Sequence, residues 1–302
     1  MEAETQKKAI GALKKGVSGL FSFNLEHELS LAAEGVCGGR LRVLIDADPE
    51  EHISEFHRLR KALAMRRSGV LATLIEINGT GKPPGIVRLW VPKNFKKESL
   101  KNISLSDFGD EIWKSFMKKR PLLIKRKSRW LYLEPHFPPP QLVIAGAGHI
   151  GRAVAHMGKL LYFEVIVIDD RPEFANRDRF PEADRIMVGD IGQSLRKFPA
   201  ASDTYFVIVT QGHSQDQKAL RACVKSRAAY IGMIGSSRKI DLMKEKFLKS
   251  GWATAREWDR VRAPIGLAIH SKTVEEIAVS IAAELVLVRR NKQENESRRE
   301  RA

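Results

Sequence analysis

Cysteine is nearly absent from this chain. Cys37 and Cys223 are the only two among 302 residues, too few and too far apart for a disulfide framework or a C-x-x-C metal site. Long apolar runs are missing too. Residues 277–288 are broken by Ser280 and Glu284, far short of the roughly 18 residues that cross a bilayer. The opening Met1-Glu-Ala-Glu-Thr-Gln-Lys-Lys carries no signal-peptide apolar core, so the expected address is the cytoplasm, away from any membrane. Acidic residues are outnumbered, with 36 Asp and Glu against 52 Lys and Arg, a net charge of +16. The bases are spread over residues 93–101, 114–129, 238–249 and the tail, with no RNA-binding aromatic motif or zinc finger among them. Nucleic acid is therefore not the expected partner. An anionic small molecule, an acidic protein or a solvated surface each accommodates such a charge.

What is present is an ordinary soluble composition, 43% hydrophobic and 29% charged, in a chain long enough for two domains with separate cores. Its centre is Gln141-Leu-Val-Ile-Ala-Gly-Ala-Gly-His-Ile-Gly-Arg152, which reads as a buried strand, a glycine turn and the start of a helix. Gly146, Gly148 and Gly151 have G-x-G-x-x-G spacing, which lets backbone N–H groups approach a pyrophosphate at a helix N-terminus. Val154, Met157, Leu160 and Leu161 continue with helical spacing, and a second apolar run ends in Asp169 and Asp170. An acid roughly 20 residues past the glycines can bind a ribose hydroxyl. The same glycines also serve a fold that needs only close helix–strand packing.

Before this unit, residues 5–20 carry Ile10, Leu13, Val17 and Leu20 at three- and four-residue steps, the pattern of a short packing helix. In residues 28–46, Cys37-Gly38-Gly39 interrupts a strand pair. Such a turn either presents the sulfur with little bulk beside it or holds a small buried thiol. Residues 49–67 read as a helix, 69–77 and 85–91 as strands, 108–119 as a helix and 130–133 as the last strand of an α+β domain. That domain is expected over residues 1–134. Pro135, Pro138, Pro139 and Pro140 mark a stiff linker, residues 135–140, because proline continues neither a helix nor a central strand.

Past the glycine turn the β–α alternation continues, with a strand at 184–188, a helix at 191–198 and a fully apolar strand at 204–210 that delivers Gly212, His213 and Asp216. Ligands of open α/β sheets bind at the carboxyl ends of strands, so these residues stand where binding or chemistry occurs; His213 reads equally as a turn residue. A helix at 217–227 and a strand at 229–232 lead to Gly232-Met-Ile-Gly235-Ser-Ser-Arg238-Lys239. This loop combines N–H groups, hydroxyls and cations as an anion site needs, or uses Ser236 or Ser237 to cap a helix. Thr273 and Glu276 have capping-box spacing, Ile277, Ile281 and Leu285 line a core helix face, and the glutamates of that helix read as capping and surface residues. The unit is expected over residues 141–290 as a Rossmann-like, doubly wound parallel sheet, with a disordered charged tail at 291–302.

Six ordered blocks and a capping segment carry a resemblance. They are Glu134-Pro135, Gly146-Ala-Gly-His-Ile, Asp169-Asp-Arg-Pro-Glu-Phe-Ala-Asn176, Thr210-Gln-Gly-His-Ser-Gln-Asp216, Tyr230-Ile-Gly-Met-Ile-Gly-Ser-Ser-Arg-Lys239, Pro264-Ile-Gly-Leu267 and Glu275-Glu-Ile-Ala-Val-Ser-Ile-Ala-Ala-Glu-Leu285. Together they resemble the XdhC/CoxI family, accessory proteins of xanthine dehydrogenase and related molybdenum hydroxylases, and Cys37-Gly38-Gly39 resembles a turn of that family's N-terminal domain. Members bind the molybdenum cofactor, a molybdopterin complex, help it acquire its terminal sulfur with a cysteine desulfurase, and hand it to the apo-hydroxylase.

The resemblance implies a cofactor site built from Cys37, Gly38, Gly39, Gly146, Gly148, His149, Gly151, Asp169, Asp170, Arg171, Gly212, His213, Asp216, Gly232, Gly235, Ser236, Arg238 and Lys239, with Cys37 as a sulfur ligand to molybdenum. Departures exist: a glycine-rich GGC segment usual before the first helix is missing, as expected either of a naturally short chain or of a misassigned start. Gln211 stands where Arg is common, His270 where Gly is, and Val274 where Pro is. His213 and Asp216 make a pair without a third group, so a binding and delivery protein without turnover is expected. The other reading is an NAD(P)-dependent oxidoreductase using the glycine turn and Asp169, with His213 as acid or base. A homodimer through the nucleotide-fold domains is compatible with either.

Overall fold

The structure, a computed structural model, describes residues 2–24, 40–79, 82–96 and 105–299. They divide into two units, Met1–Pro138 and Pro139–Ala302.

In the first unit, helix α1 (Glu2–Lys15) has acids in its first turn and lysines in its last, as the helix dipole favours. Gly16, at φ +63, stops it, and Leu20 belongs to β1 (Gly19–Asn24) instead. Ile10, Leu13 and Val17 stay exposed and α1 buries Ala12, so the expected packing face is corrected: the helix is too short and displaced to press that stripe on a core. Strand β1 runs antiparallel to β2 (Arg40–Ile45) from Gly19↔Ile45 to Asn24↔Arg40, where the sequence places the partner of β2 after residue 28. Cys37, Gly38 and Gly39 lie outside the described residues. Asp46, just after β2, accepts the Arg88 guanidinium and the Asp48 N–H. Burial pushes its carboxyl up, but these hydrogen bonds outweigh burial and hold it below the usual range.

After α2 (Ile53–Ala64), an antiparallel sheet of order β4-β3-β6-β5 forms from β3 (Gly69–Glu76), β4 (Gly85–Pro92), β5 (Leu122–Arg126) and β6 (Arg129–His136). Helix α3 (Gly109–Lys118) covers it, packing Ile112 and Phe116 with Val70, Leu74, Leu131 and Leu133. Strand β5 is absent from the sequence reading because it is only five residues long and ends in two adjacent basic residues, Lys125 and Arg126. Pro135, expected in the linker, sits inside β6 opposite Val70. Pairing with β5 ends at Leu133, so the proline's missing N–H falls on a free edge of β6, where it is tolerated.

The second unit contains β7 (Gln141–Ala145), α4 (His149–Leu160), β8 (Glu164–Asp169), β9 (Arg185–Val188), α5 (Ile191–Lys197), β10 (Thr204–Ile208), α6 (His213–Cys223), β11 (Tyr230–Met233), α7 (Ser237–Lys249), α8 (Ala255–Trp258), β12 (Val261–Arg262) and α9 (Val274–Arg299). All neighbouring strands are parallel, in the order β12-β11-β10-β7-β8-β9. Strands β7, β8 and β10 are apolar over residues 142–145, 165–168 and 205–208 because both faces are covered. Val143, Ile166 and Phe206 face Leu195, Leu220 and Met243 of α5, α6 and α7. Leu142, Val165 and Val207 face Val154 of α4 and Ile281 and Leu285 of α9. Each such Val, Leu or Ile contributes about 1.5–3 kcal/mol on burial. The capping box forms: Glu276 accepts from the Thr273 N–H, and Thr273 Oγ1 accepts from the Glu276 N–H. Helix α9 runs on to Arg299, correcting the expected disorder from residue 291; its charged end continues a helix already nucleated on the core.

Two departures bear on the site. Helix α6 begins at His213, four residues before the expected 217, because Gly212 at φ +97 makes the turn. Glu284 is not a surface residue: it is buried, and its Oε2 accepts the Tyr230 phenol and the Gly266 N–H. Burial and the neighbouring carboxylate both push the Tyr230 phenol far above its ordinary range, so it acts only as a donor.

Candidate functional site

Successive parallel strands place every following helix N-terminus at one edge of the sheet. The strand order reverses between β7 and β10, leaving a crevice beyond their carboxyl ends, the general ligand position of such folds. Helices α4, α6 and α7 start there at His149, His213 and Ser237. Their first-turn N–H groups have no acceptor within the helix and, with the dipole, attract an anion.

The three glycines of the turn do different work. Gly146, at φ +117, lies so close to β10's continuation that a Cβ would meet the Val209 carbonyl oxygen at 2.3 Å. A Cβ on Gly151 would stand 2.0 Å from the Gly146 carbonyl oxygen, whereas one on Gly148 would meet nothing within 4 Å. Gly146 and Gly151 therefore close the turn, and Gly148 keeps the approach to α4 open. Gly232 belongs with the closers, since its Cβ would strike Tyr230 and Ile265; it is a packing position, not an open approach.

Asp169, at the end of β8, is 1% exposed. Its Oδ2 accepts the Ala147 N–H at 2.6 Å and Arg171 Nη2 at 2.9 Å. Its Oδ1 accepts the Arg171 N–H at 3.0 Å and Nε at 2.8 Å. Burial pushes this carboxyl up, but the Arg171 and Ala147 hydrogen bonds overcome that and hold it below the usual carboxylate range. Arg171 is held above its ordinary value by the same contact. Arg171 also donates to Gln211 Oε1 at 2.6 Å and lies 4.0 Å over the Phe174 ring, which Arg179 approaches at 4.9 Å. Asp170 turns to Gln215 of α6 at 3.2 Å.

Asp216 is fully buried in the first turn of α6. Its Oδ1 accepts the Thr210 N–H at 3.2 Å and hydroxyl at 2.6 Å, and its Oδ2 accepts Lys239 Nζ at 2.8 Å. The expected His213–Asp216 pair is corrected: Asp216 ties the loop after β10 to α7, while His213 stands exposed on the same turn. Ser236 precedes α7 without a side-chain capping bond and is exposed with Arg238; Gly235 is partly buried beside them. The structure thus brings Gly148, His149, Arg171, Gly212, His213, Ser236, Arg238 and Lys239 to one edge of the sheet. Sequence reasoning missed Phe174, Thr210 and Glu284. The signals were a ring three residues after Arg171, a hydroxyl ending an apolar strand, and an acid within an apolar helix face. Among the described residues no cluster of three or more His, Cys, Asp or Glu could hold a metal ion, and no helix is long and apolar enough to cross a membrane.

Two results can be checked directly. Because Asp169's carboxyl is depressed in the fold, its stabilisation is present above the unfolded value of about 3.9 and is lost as pH falls through the folded value. Thermal melts should therefore fall more steeply below about pH 4 for the native chain than for Asp169→Asn; parallel curves would refute the assignment. Cys223 is buried in α6, and burial pushes its thiol up to about 12. Ellman's reagent at mildly alkaline pH should leave Cys223 unmodified until denaturant is added.

This strand order and glycine turn define the second unit as a doubly wound Rossmann domain. Residues 142–285 match the family model of the XdhC Rossmann domain. The chain is 31% identical over 162 residues to Escherichia coli (strain K12) "Uncharacterized protein YqeB", covering 53% of this chain and 29% of that protein. It is 29% identical over 160 residues to a probable xanthine dehydrogenase subunit from Bacillus subtilis (strain 168), covering 53% of this chain and 46% of that protein. It is 27% identical over 104 residues to the Escherichia coli (strain K12) "Molybdenum cofactor insertion chaperone PaoD", covering 32% of each. The matched stretch is thus less than half the length of these curated relatives. A solved Bacillus halodurans structure named as a xanthine dehydrogenase superposes with TM-score 0.68 at 22% identity, over 96% of this chain and 80% of that one, and shows the same fold.

Proposed function

We propose that this chain binds the molybdenum cofactor and serves the maturation of a xanthine dehydrogenase-type hydroxylase, receiving or protecting the cofactor while a cysteine desulfurase supplies its terminal sulfur. The carrying observation is the XdhC Rossmann match over residues 142–285, together with similarity to a molybdenum cofactor insertion chaperone. The residues fit such a cargo. Molybdopterin ends in a phosphate, and the open approach at Gly148, the first turn of α4 and the exposed Arg238 offer N–H groups and positive charge for it. Bound there, the cofactor would present molybdenum for sulfur exchange. Cys37, which lies outside the described residues, is carried in this reading as a soft sulfur ligand for molybdenum on its chemistry alone. This chain's own part is to bind and orient the phosphate end. Its partners in this reading are the apo-hydroxylase and the desulfurase, its compartment is the cytoplasm, and a homodimer is its proposed assembly.

Anaerobic incubation with isolated molybdenum cofactor, followed by gel filtration and metal analysis, tests the reading. Molybdenum and pterin should travel with the protein, and Cys37→Ala should melt like the native chain while retaining less of both. A protein peak free of molybdenum and pterin would refute it.

A further inference from the structure

In a dinucleotide-binding Rossmann unit, the acid ending the second strand accepts the ribose hydroxyls of the nucleotide. Asp169 occupies that place here, at the end of β8, yet both its oxygens are already taken. They hold four hydrogen bonds, three of them from Arg171 and one from the Ala147 N–H of the glycine turn. The neighbouring Asp170 is directed to Gln215 instead. Arg171 is itself fastened from two further sides, by Gln211 Oε1 and by the Phe174 face. Swinging its side chain aside for a ribose would take the guanidinium, the only countercharge in contact, from a carboxylate that is 1% exposed and leave it two backbone N–H donors, and stranding a buried charge is strongly unfavourable.

We infer that Arg171 is a specificity-determining residue which takes the place of a nucleotide's ribose diol, so that this site selects ligands by their phosphate and is indifferent to a ribose. It rests on the phosphate reading of the glycine turn proposed above and narrows it. The ligand class is a phosphate or pyrophosphate ester whose remaining part makes no diol contact at β8, which a pterin phosphate satisfies and NAD(H) does not exploit. Arg171 acts by occupying Asp169, not by touching the reacting atoms.

The test is calorimetric titration of the full chain with inorganic pyrophosphate, ADP and 2′,3′-dideoxy-ADP. For the native chain, ADP and dideoxy-ADP should bind within about threefold of each other, since no acid is offered to the diol. In Arg171→Ala, Asp169 is released and ADP should bind about tenfold more tightly than dideoxy-ADP. Arg171→Lys keeps the charge without the forked contact and should show a smaller preference; it carries the test should the alanine variant fail to fold by circular dichroism. A tenfold or greater ADP preference in the native chain would overturn the inference, as would the absence of any preference in both variants. Failure of pyrophosphate and ADP alike to bind would sink the phosphate reading itself, and this inference with it.

Discussion

Gly151→Ala is expected to destabilise the second unit by about 3 kcal/mol, lowering its melting temperature by about 10 °C. The added Cβ would lie 2.0 Å from the Gly146 carbonyl oxygen. That oxygen belongs to the backbone, and Gly146 is wedged against Val209, with only 2.3 Å for a Cβ of its own. Neither neighbour can turn aside as a flexible side chain would. Gly148→Ala is the companion measurement. Its φ of −70 and ψ of −169 suit any residue, and its Cβ would meet nothing within 4 Å. The cost should stay within about 1 kcal/mol, mostly from a poorer N-cap, while pyrophosphate affinity falls about tenfold as the methyl stands over the helix N-terminus. Equal melting curves for the two variants would show that the turn's glycines are not divided between closure and approach.

Asp216→Ala carries the second large effect. The substitution removes the acceptor for the Thr210 N–H and hydroxyl and leaves Lys239 Nζ without its carboxylate. Losing one member of a buried pair costs about 3–5 kcal/mol; Lys239, with 28% of its side chain exposed, reaches water in part, so about 3 kcal/mol is expected. Chemical denaturation of Asp216→Ala, Lys239→Met and the double variant separates the pair from its surroundings. The double variant should be less destabilised than the sum of the singles by about 1–2 kcal/mol. A single variant within about 0.5 kcal/mol of the native chain would mean that the two loops are held together by packing alone.

The second unit was legible because its signals are local and agree with one another. Residues 142–145, 165–168 and 205–208 are continuous apolar runs, as strands covered on both faces must be, and Gly146 and Gly151 announce a turn that admits no side chain. The partners of the charged residues were not legible. Asp169 and Lys239 read from sequence as offered to a ligand, yet each is engaged: Asp169 by Arg171, two residues on, which the bend after β8 turns back onto it, and Lys239 by Asp216, which only the fold brings near. The first unit was harder because its elements are short and its periodicity misleads. Ile10 and Leu13 repeat like a core stripe but remain exposed, and β5 alternates Leu and Ile with solvent-facing residues over only five positions.

The contact between Glu284 and two distant segments bears on how this protein is made. Tyr230 ends its phenol on a carboxylate from the last helix, and the Gly266 N–H shares that oxygen. Both donors leave the ribosome before Glu284 does, so β11 and the turn at Gly266 are synthesised ahead of the group that satisfies them. The acceptor for both donors is therefore in place only once the last helix has been made. A chain that ends before residue 284 lacks the acceptor that the folded protein gives this phenol, and its Tyr230 stays hydrated instead of buried.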